Sequence, residues 1–383
     1  MIGERMSGQN EKQLFYLSTP TLSGFGIDTH FQLSTQNHYM FACPSCSKRT
    51  ELIFPDCLVI TAEHEADPRI RDSHLICKEC KNVLPHATKS EWLLETGHGG
   101  ECLWVPTHED RMYEGYHINQ LYSMTVPPYE IAQKVIKAES DPATEQELYN
   151  SKMGLTHEVE GARLTNEDIS SCIGDYMLAK NTKGGCFMTM GVDVGTHLHV
   201  EIDEWHFTKG YQGTDVNLLG HPKVVAIFKL KEFEELDALM RDFRINFCVI
   251  DANPERRKSK EFAQRFNGRV RMCFYGNGVS GKVITDHTTD LAITVDRTSW
   301  LDLSVGRFKT NKISLPKDIS LEYKSHMKAL VRIYGIDSVG NHVGKYEKAA
   351  KDQDHFAHSR NYSEMALAMG LSTAQSTDIR GIL

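Results

Sequence analysis

The chain has 383 residues, 40% hydrophobic and 25% charged, which suits two or three globular domains with real cores. No run of 18 apolar residues exists, so no transmembrane helix is expected, and the opening MIGERMSGQNEKQ lacks the apolar core of a signal peptide. The net charge of −8 excludes a global electrostatic pull toward nucleic acid, so any such contact must be local.

Residues 14–17, LFYL, read as a short apolar strand stopped by STPT, and residues 24–31 as a polar, partly helical segment. A strand so near the start, with no partner before it, looks like the last strand of a domain whose earlier part is missing. Of the ten cysteines, four form two CxxC pairs, Cys43/Cys46 and Cys77/Cys80, with 30 residues between the pairs. That pattern fits a reducing compartment and a structural Zn²⁺ site held by two turns rather than a disulfide framework. Cys57, His64 and His74 lie in the spacer as substitute ligands, and residues 52–54 and 57–60 could be ribbon strands. A closed set of four thiolates leaves no open position, so this metal should not do chemistry. Residues 92–122 suggest irregular packing around the module. Helices follow over 129–139 and from Pro142 through Lys152, and a capping start at Leu164–Asp168 opens another through Tyr176.

Residues 187–207, FMTMGVDVGTHLHVEIDEWHF, read as strand, tight turn and strand. Phe187, Thr189, Gly191, Asp193 and Gly195 share one pleat face, while Met188, Met190, Val192 and Val194 share an apolar one. Asp193 is thus an acid between two glycines where a substrate backbone could approach, or else simply the cap of a surface hairpin. Leu198, Val200 and Ile202 alternate with His199, Glu201 and Asp203, the pattern of a half-buried antiparallel partner. Strands at 224–228, 247–251 and 270–275 then alternate with helices over 232–244 and from Pro254 to Phe266. The order argues for an α/β fold built on a mixed sheet with flanking helices. A hairpin around residues 335–340, a helix from about Asp354 to Met369 and a disordered tail from Ser372 complete the chain.

Asp193 and Asp251 stand at strand ends and Asp354 at the start of the last helix. Taken singly, each could be a cap or a solvated strand end. Taken together, convergent carboxylates suit hard Mg²⁺ or Mn²⁺ ions, a pair of which can activate water against a phosphodiester. Residues 276–282, GNGVSGK, match the glycine and lysine positions of a phosphate loop but continue into Val283 and a β-branched stretch, so they read as a hairpin turn. Arg256, Arg257, Lys258, Lys260 and Arg265, with Arg269 and Arg271 beyond, form either a solvated helix face or a track for a phosphate backbone.

With these pieces in place the chain resembles the large terminase subunits of tailed bacteriophages, in the lambda-type branch. FYLSTPT (15–21) is similar to the segment closing that family's packaging ATPase. CPSC, CKEC and GYHINQLYS (115–123) are similar to its zinc-bearing connector, and GVDVGTHLHVEI, VIDANPERR, RTSWLDL (297–303) and DHFAHSRNYSEMAL (354–367) to its nuclease domain. The resemblance implies an RNase H-like endonuclease that cuts concatemeric viral double-stranded DNA during packaging, with Asp193, Asp251 and Asp354 as metal-binding carboxylates and Asp352 and His355 as neighbours. It implies four parts: an ATPase remnant over 1–40, a zinc-ribbon-like connector over 41–180, the nuclease over 181–371 and a tail over 372–383. The family's ATP-binding loop is absent, so ATPase activity is not expected from this chain alone, and an ATPase part would be supplied separately. The implied partners are portal and small terminase subunit, and the implied location is the host cytoplasm rather than the virion. The rival readings are a non-catalytic DNA-binding or docking protein and a resolvase- or transposase-type nuclease.

Overall fold

The computed structural model describes residues 8, 13–94, 103–182, 185–207, 220–276 and 281–373. By its contacts the chain divides into one unit of residues 1–160 with 333–344 and a second of residues 161–332 with 345–383. No helix among the described residues is long and apolar enough to cross a membrane.

In the first unit, Asn37–Ala42 is the central strand. It pairs antiparallel with Arg49–Thr50 and Leu103–Pro106 and parallel with Tyr116–His117. A second small sheet joins Leu58–Val59, His74–Ile76 and Val83–Leu84. Phe41, Leu52, Leu75, Leu84, Trp92 and Leu121 form their shared core. The helix expected over 129–139 is Pro128–Ala138, opening on a proline, and Pro142 opens the next as expected, Pro142–Glu147, which runs on as a π-helix over Leu148–Lys152. The strand expected at residues 14–17 is not formed. The segment has no ladder partner among the described residues, and Phe15 and Leu17 are 87% and 100% exposed. Residues 52–54 are likewise not a strand.

The second unit is built on strands β1 (Phe187–Val194), β2 (Leu198–Phe207), β3 (Gly220–Leu230), β4 (Phe247–Asp251), β5 (Val270–Tyr275), β6 (Ile284–His287) and β7 (Ala292–Val295). Its helices are α1 (Glu234–Asp242), α2 (Arg256–Arg265), α3 (Arg297–Lys309), α4 (Leu321–Ala329) and α5 (His355–Thr373). The sheet order is β3-β2-β1-β4-β5-β7-β6. The first three strands are mutually antiparallel, β4, β5 and β7 run parallel with β1, and β6 is antiparallel to β7. This is the expected RNase H-like mixed sheet. The hairpin expected after β5 is not there, because β7 inserts between β5 and β6. The apolar Ala292, Ile293 and Val295 take the inner position, while β6, with Thr285, Asp286 and His287 exposed, takes the edge. Residues 277–280 of the glycine-rich loop, and residues 374–383 of the expected tail, lie outside the described residues.

The two faces of the sheet differ in chemistry. Met188, Met190, Val192, Val200, Ile202, Cys248 and Ile250 make an apolar core with Leu236 and Met240 of α1 and Phe262 of α2. The opposite face carries Thr189, Gly191 and Asp193 on β1, in register with Asp203, Glu201 and His199 on β2. The half-exposed face expected for β2 is therefore corrected: α5 covers it, and His199, Glu201 and Asp203 are buried. The role expected for the glycine before Asp193 changes with it. A Cβ on Gly191 would lie 1.9 Å from the Ser359 carbonyl oxygen and 2.4 Å from the Ser363 amide nitrogen, so the space admits α5, not a substrate.

Buried charge joins helix to sheet. Arg360 has no exposed side-chain surface. It donates to Glu201 at 2.8 Å and pairs with Asp203 and Glu364, while Arg307 of α3 donates to both Glu364 oxygens at 2.9 and 2.8 Å. Tyr323 of α4 donates to Glu201 at 2.8 Å. Burial, and then the charge of Asp203, pushes Glu201 up to about 8. Burial raises Asp203 as well, and with three carboxyls facing two guanidiniums one proton shared within the cluster would leave it neutral.

Gly191→Ala is expected to cost about 3 kcal/mol or more, because its new methyl meets the backbone of α5 rather than a movable side-chain end. Met190→Leu, a volume-conserving change on the other face, is expected to cost less than about 1.5 kcal/mol. Urea unfolding of the two variants checks the contrast.

Candidate functional site

β1 and β4 are parallel neighbours, with Val192 in register with Ile250. The next residue on each strand is Asp193 or Asp251, so the pleat sends both carboxylates out on the α5 side at the carboxyl ends of their strands. Burial, and then the Asn253 amide and the charge of Asp193, act on Asp251. The net effect lifts its carboxyl to about 6, although Tyr362 also bonds to it. Asp193 and Asp251 thus end neighbouring strands on one face, near enough for the charge of Asp193 to act on Asp251.

Asp354 opens α5, its carbonyl accepting from the Ala357 and His358 amides at 2.9 and 3.2 Å. Its side chain meets His358 Nε2 at 3.2 Å and Lys348 Nζ at 3.5 Å. Burial opposes its ionisation, but the His358 hydrogen bond and the nearby charges of His358, Lys348 and Arg297 outweigh it and hold Asp354 at about 2. His358 Nδ1 is 3.1 Å from the Tyr275 hydroxyl, which accepts from Asn361 at 3.1 Å. A chain of hydrogen bonds therefore fixes the Asp354 carboxylate from behind.

Three histidines cluster beside Asp193, of which only His355 was expected, as a neighbour implied by the resemblance. His355 Nδ1 lies 2.9 Å from Asp193 Oδ2, and that hydrogen bond raises the His355 pKa against burial. His199 stacks on His355 with centroids 4.5 Å apart and planes 10° from parallel, and His326 meets both rings edge-on. Burial, then the His355 charge, lowers His199 to about 4. Among the described residues, the donor atoms of Asp193, His199 and His355 fall within 4.8 Å of one another; Asp251 and Asp354 stand outside that group. Only the HLH alternation in β2 hinted at His199, and it reads equally as a solvated face.

The four cysteine sulfurs of the first unit also lie within 4.8 Å of one another, with Cys43 and Cys80 3.8 Å apart. Zn–S bonds of about 2.3 Å give a tetrahedron with edges of about 3.8 Å, so the group can hold such an ion. Each pair sits in the same turn. Ser47 donates to the Cys43 carbonyl and Lys81 to the Cys77 carbonyl, at 2.8 and 3.0 Å, and both Ser47 and Lys81 adopt positive φ. Cys57, His64 and His74 are not in the group.

On α2, Arg256, Arg257 and Lys258 are exposed and Lys260 is partly so. Lys260 pairs with Asp290 at 3.4 Å, and Arg257 and Lys258 reach Glu261 and Glu255 at 3.9 Å. Arg271, expected among this run, is instead buried against Asp286 at 3.0 Å, because β5 is an inner strand.

Two family models match the chain: the terminase large subunit gpA endonuclease domain over residues 113–315, and the phage terminase large subunit gpA ATPase domain over residues 1–104. The first ends before Asp354; the second runs past both cysteine pairs. No curated protein matches the chain. Among solved structures, the large terminase nuclease of thermophilic phage G20c is 10% identical, covering 52% of this chain and 98% of that one, with a TM-score of 0.33. The same nuclease with bound magnesium is 10% identical over 52% and 94%, with a TM-score of 0.33. The P22 large terminase nuclease domain is 8% identical over 56% and 97%, with a TM-score of 0.26. Likenesses this slight add nothing to the sheet order itself. The endonuclease model, in contrast, spans more than half of the residues, and the chain belongs to the phage terminase large subunit gpA family.

Proposed function

We propose that this chain cuts viral DNA as a two-metal endonuclease, with Asp193, Asp251 and Asp354 as the carboxylates of the site. The observation that carries the reading is the pair of acids ending β1 and β4, with Asp251 held protonated to about 6 by burial and by its neighbour's charge. A dication there would relieve both causes at once, and three carboxylates are the donor set that Mg²⁺ or Mn²⁺ prefers. When bound, two such ions supply activation of water and neutralisation of the charge that builds on the phosphate. The chain's own residues orient the site: the Tyr275–His358 relay steers Asp354, and the Asn253 amide donates to Asp251 at 3.1 Å.

Arg256, Arg257, Lys258 and Lys260, on the helix that follows Asp251, would follow the double-stranded DNA backbone. Zn²⁺ on Cys43, Cys46, Cys77 and Cys80 would be structural. The reading takes an ATPase-related segment at 1–40, the connector at 41–180, the nuclease at 181–371 and the tail at 372–383. It takes portal and small subunit as partners in the host cytoplasm.

Asp193→Asn and Asp251→Asn are expected to lower Mn²⁺-dependent plasmid cleavage by roughly a thousandfold or more with the fold retained by circular dichroism. Cleavage at the wild-type rate in either variant overturns the assignment, and a gel shift without cutting under any cation favours the docking reading. Metal analysis is expected to find one zinc per chain, lost in Cys43→Ser together with the thermal stability of the first unit. Without added cation, the folded protein keeps the Asp251 proton up to about pH 6, whereas the unfolded chain releases it near pH 4. The folded state binds more protons in that window, so stability falls as pH rises through it. Asp251→Asn should therefore raise the metal-free thermal midpoint at pH 7 and lose that advantage below about pH 4.

A further inference from the structure

His199 is 3% exposed, and neither of its ring nitrogens has a hydrogen-bond partner among the described residues. An imidazole must desolvate two polar nitrogens to be buried, and leaving both unpaired costs free energy that an apolar ring at the same place would not incur. Nothing in the packing requires a histidine there: its ring neighbours are the face of His355 at 4.5 Å and, edge-on, Phe356 at 4.9 Å and His326 at 5.6 Å, stacking that a phenyl ring would satisfy. What does distinguish the position is its register. His199 lies directly opposite Asp193 across the β1–β2 ladder, and one of its nitrogens falls within 4.8 Å of both an Asp193 oxygen and a His355 nitrogen. Two imidazoles and one carboxylate, brought from β1, β2 and the first residue of α5, form a donor set with positions left over for water or a phosphate oxygen.

We propose that His199 and His355 are nitrogen ligands of the cation held by Asp193, making this position a mixed imidazole–carboxylate site that selects a transition-metal dication over Mg²⁺. The inference rests on the reading above that a cation binds at Asp193, and it adds the ligand type and the metal class. Mg²⁺ demands oxygen donors and keeps its waters, whereas imidazole lone pairs raise affinity for Mn²⁺ and the metals beyond it. Coordination would also satisfy the acceptor nitrogen that the fold leaves bare. The site would then be asymmetric, one cation position taking nitrogen from His199 and His355 while the Asp251 and Asp354 carboxylates offer oxygen alone.

The test uses the whole chain, stripped of loosely held cations on a chelating resin and titrated with MnCl₂ or MgCl₂ alone. Pulsed electron paramagnetic resonance of bound Mn²⁺ should show ¹⁴N couplings of directly bound imidazole in the wild type. His199→Phe should lose part of that signal and bind Mn²⁺ about tenfold or more weakly while its Mg²⁺ affinity changes less than about twofold. Because the phenyl ring keeps the stack, the metal-free thermal midpoint of His199→Phe should not fall below wild type, yet its rise on adding Mn²⁺ should shrink. His199→Gln, which keeps a polar donor in the pocket, serves as the second variant should the phenylalanine distort the fold. Mn²⁺ bound without any ¹⁴N coupling, or equal loss of Mn²⁺ and Mg²⁺ affinity in both variants, overturns the inference. Should that happen while Asp193→Asn still abolishes cleavage, the nuclease reading stands without nitrogen ligation. Mn²⁺ binding with ¹⁴N coupling but wild-type cleavage in Asp193→Asn would instead uphold the ligands and overturn the nuclease reading.

Discussion

The guanidinium of Arg360 is the constraint on which the second unit depends. It has no exposed surface, and it ties Glu201 and Asp203 of β2 to Glu364 of its own helix. Cutting such a group back to alanine would strand buried carboxylates, the expensive way to break an ion pair. The cluster also sets position. Ser363 bonds to Asp203 and lies 2.6 Å from Thr189, and the Trp205 indole donates to Thr189 at 2.7 Å, so helix and strands can meet in one register only. Asp354 and His355 begin that same helix, less than two turns before Arg360. The buried charge therefore fixes the place of the carboxylate and imidazole at the sheet edge.

How this polar face was read from sequence shows where pattern reasoning stops. Period-2 alternation over residues 187–194 and the apolar run over 247–251 located the central strands and put Asp193 and Asp251 at their ends, because those strands carry an unbroken apolar face. The same rule misjudged HLHVEID, since a polar alternate face reads as solvated unless its partner is known. That partner, α5, spells HSRNYSE in its middle and is nevertheless buried nearly all round, so its periodicity carries little signal. Arg271 failed for a related reason: nothing local says that β5 is an inner strand whose arginine finds Asp286. The apolar residues 14–17 suggested a strand, but a strand is defined by a ladder, and no ladder partner is visible in four residues.

The cysteine turns lie at the other extreme. Each pair occupies a turn closed by its own amides, with a positive-φ residue at Ser47 or Lys81, so the geometry that gathers thiols is written within a few residues of each pair. Chemistry that is local in sequence was legible, down to the four sulfurs. The carboxylate site was legible only as three separate acids, with His355 set beside them by family resemblance alone; His199 and His326 emerge only from the fold, because the links between its elements span distant sequence.

That distance has a consequence in time. The hydrogen bond between Asp193 and His355 joins residues 162 positions apart, and the Arg360 contacts with Glu201 and Asp203 span 159 and 157. During synthesis, strands β1 to β7 leave the ribosome with their polar face uncovered and the acids at its edge unaligned. Only when α5 has emerged can the charge cluster close. A half-made chain therefore lacks the contacts between α5 and the strands that set Asp193 beside His355, and that arrangement can form only as the last residues of the unit arrive.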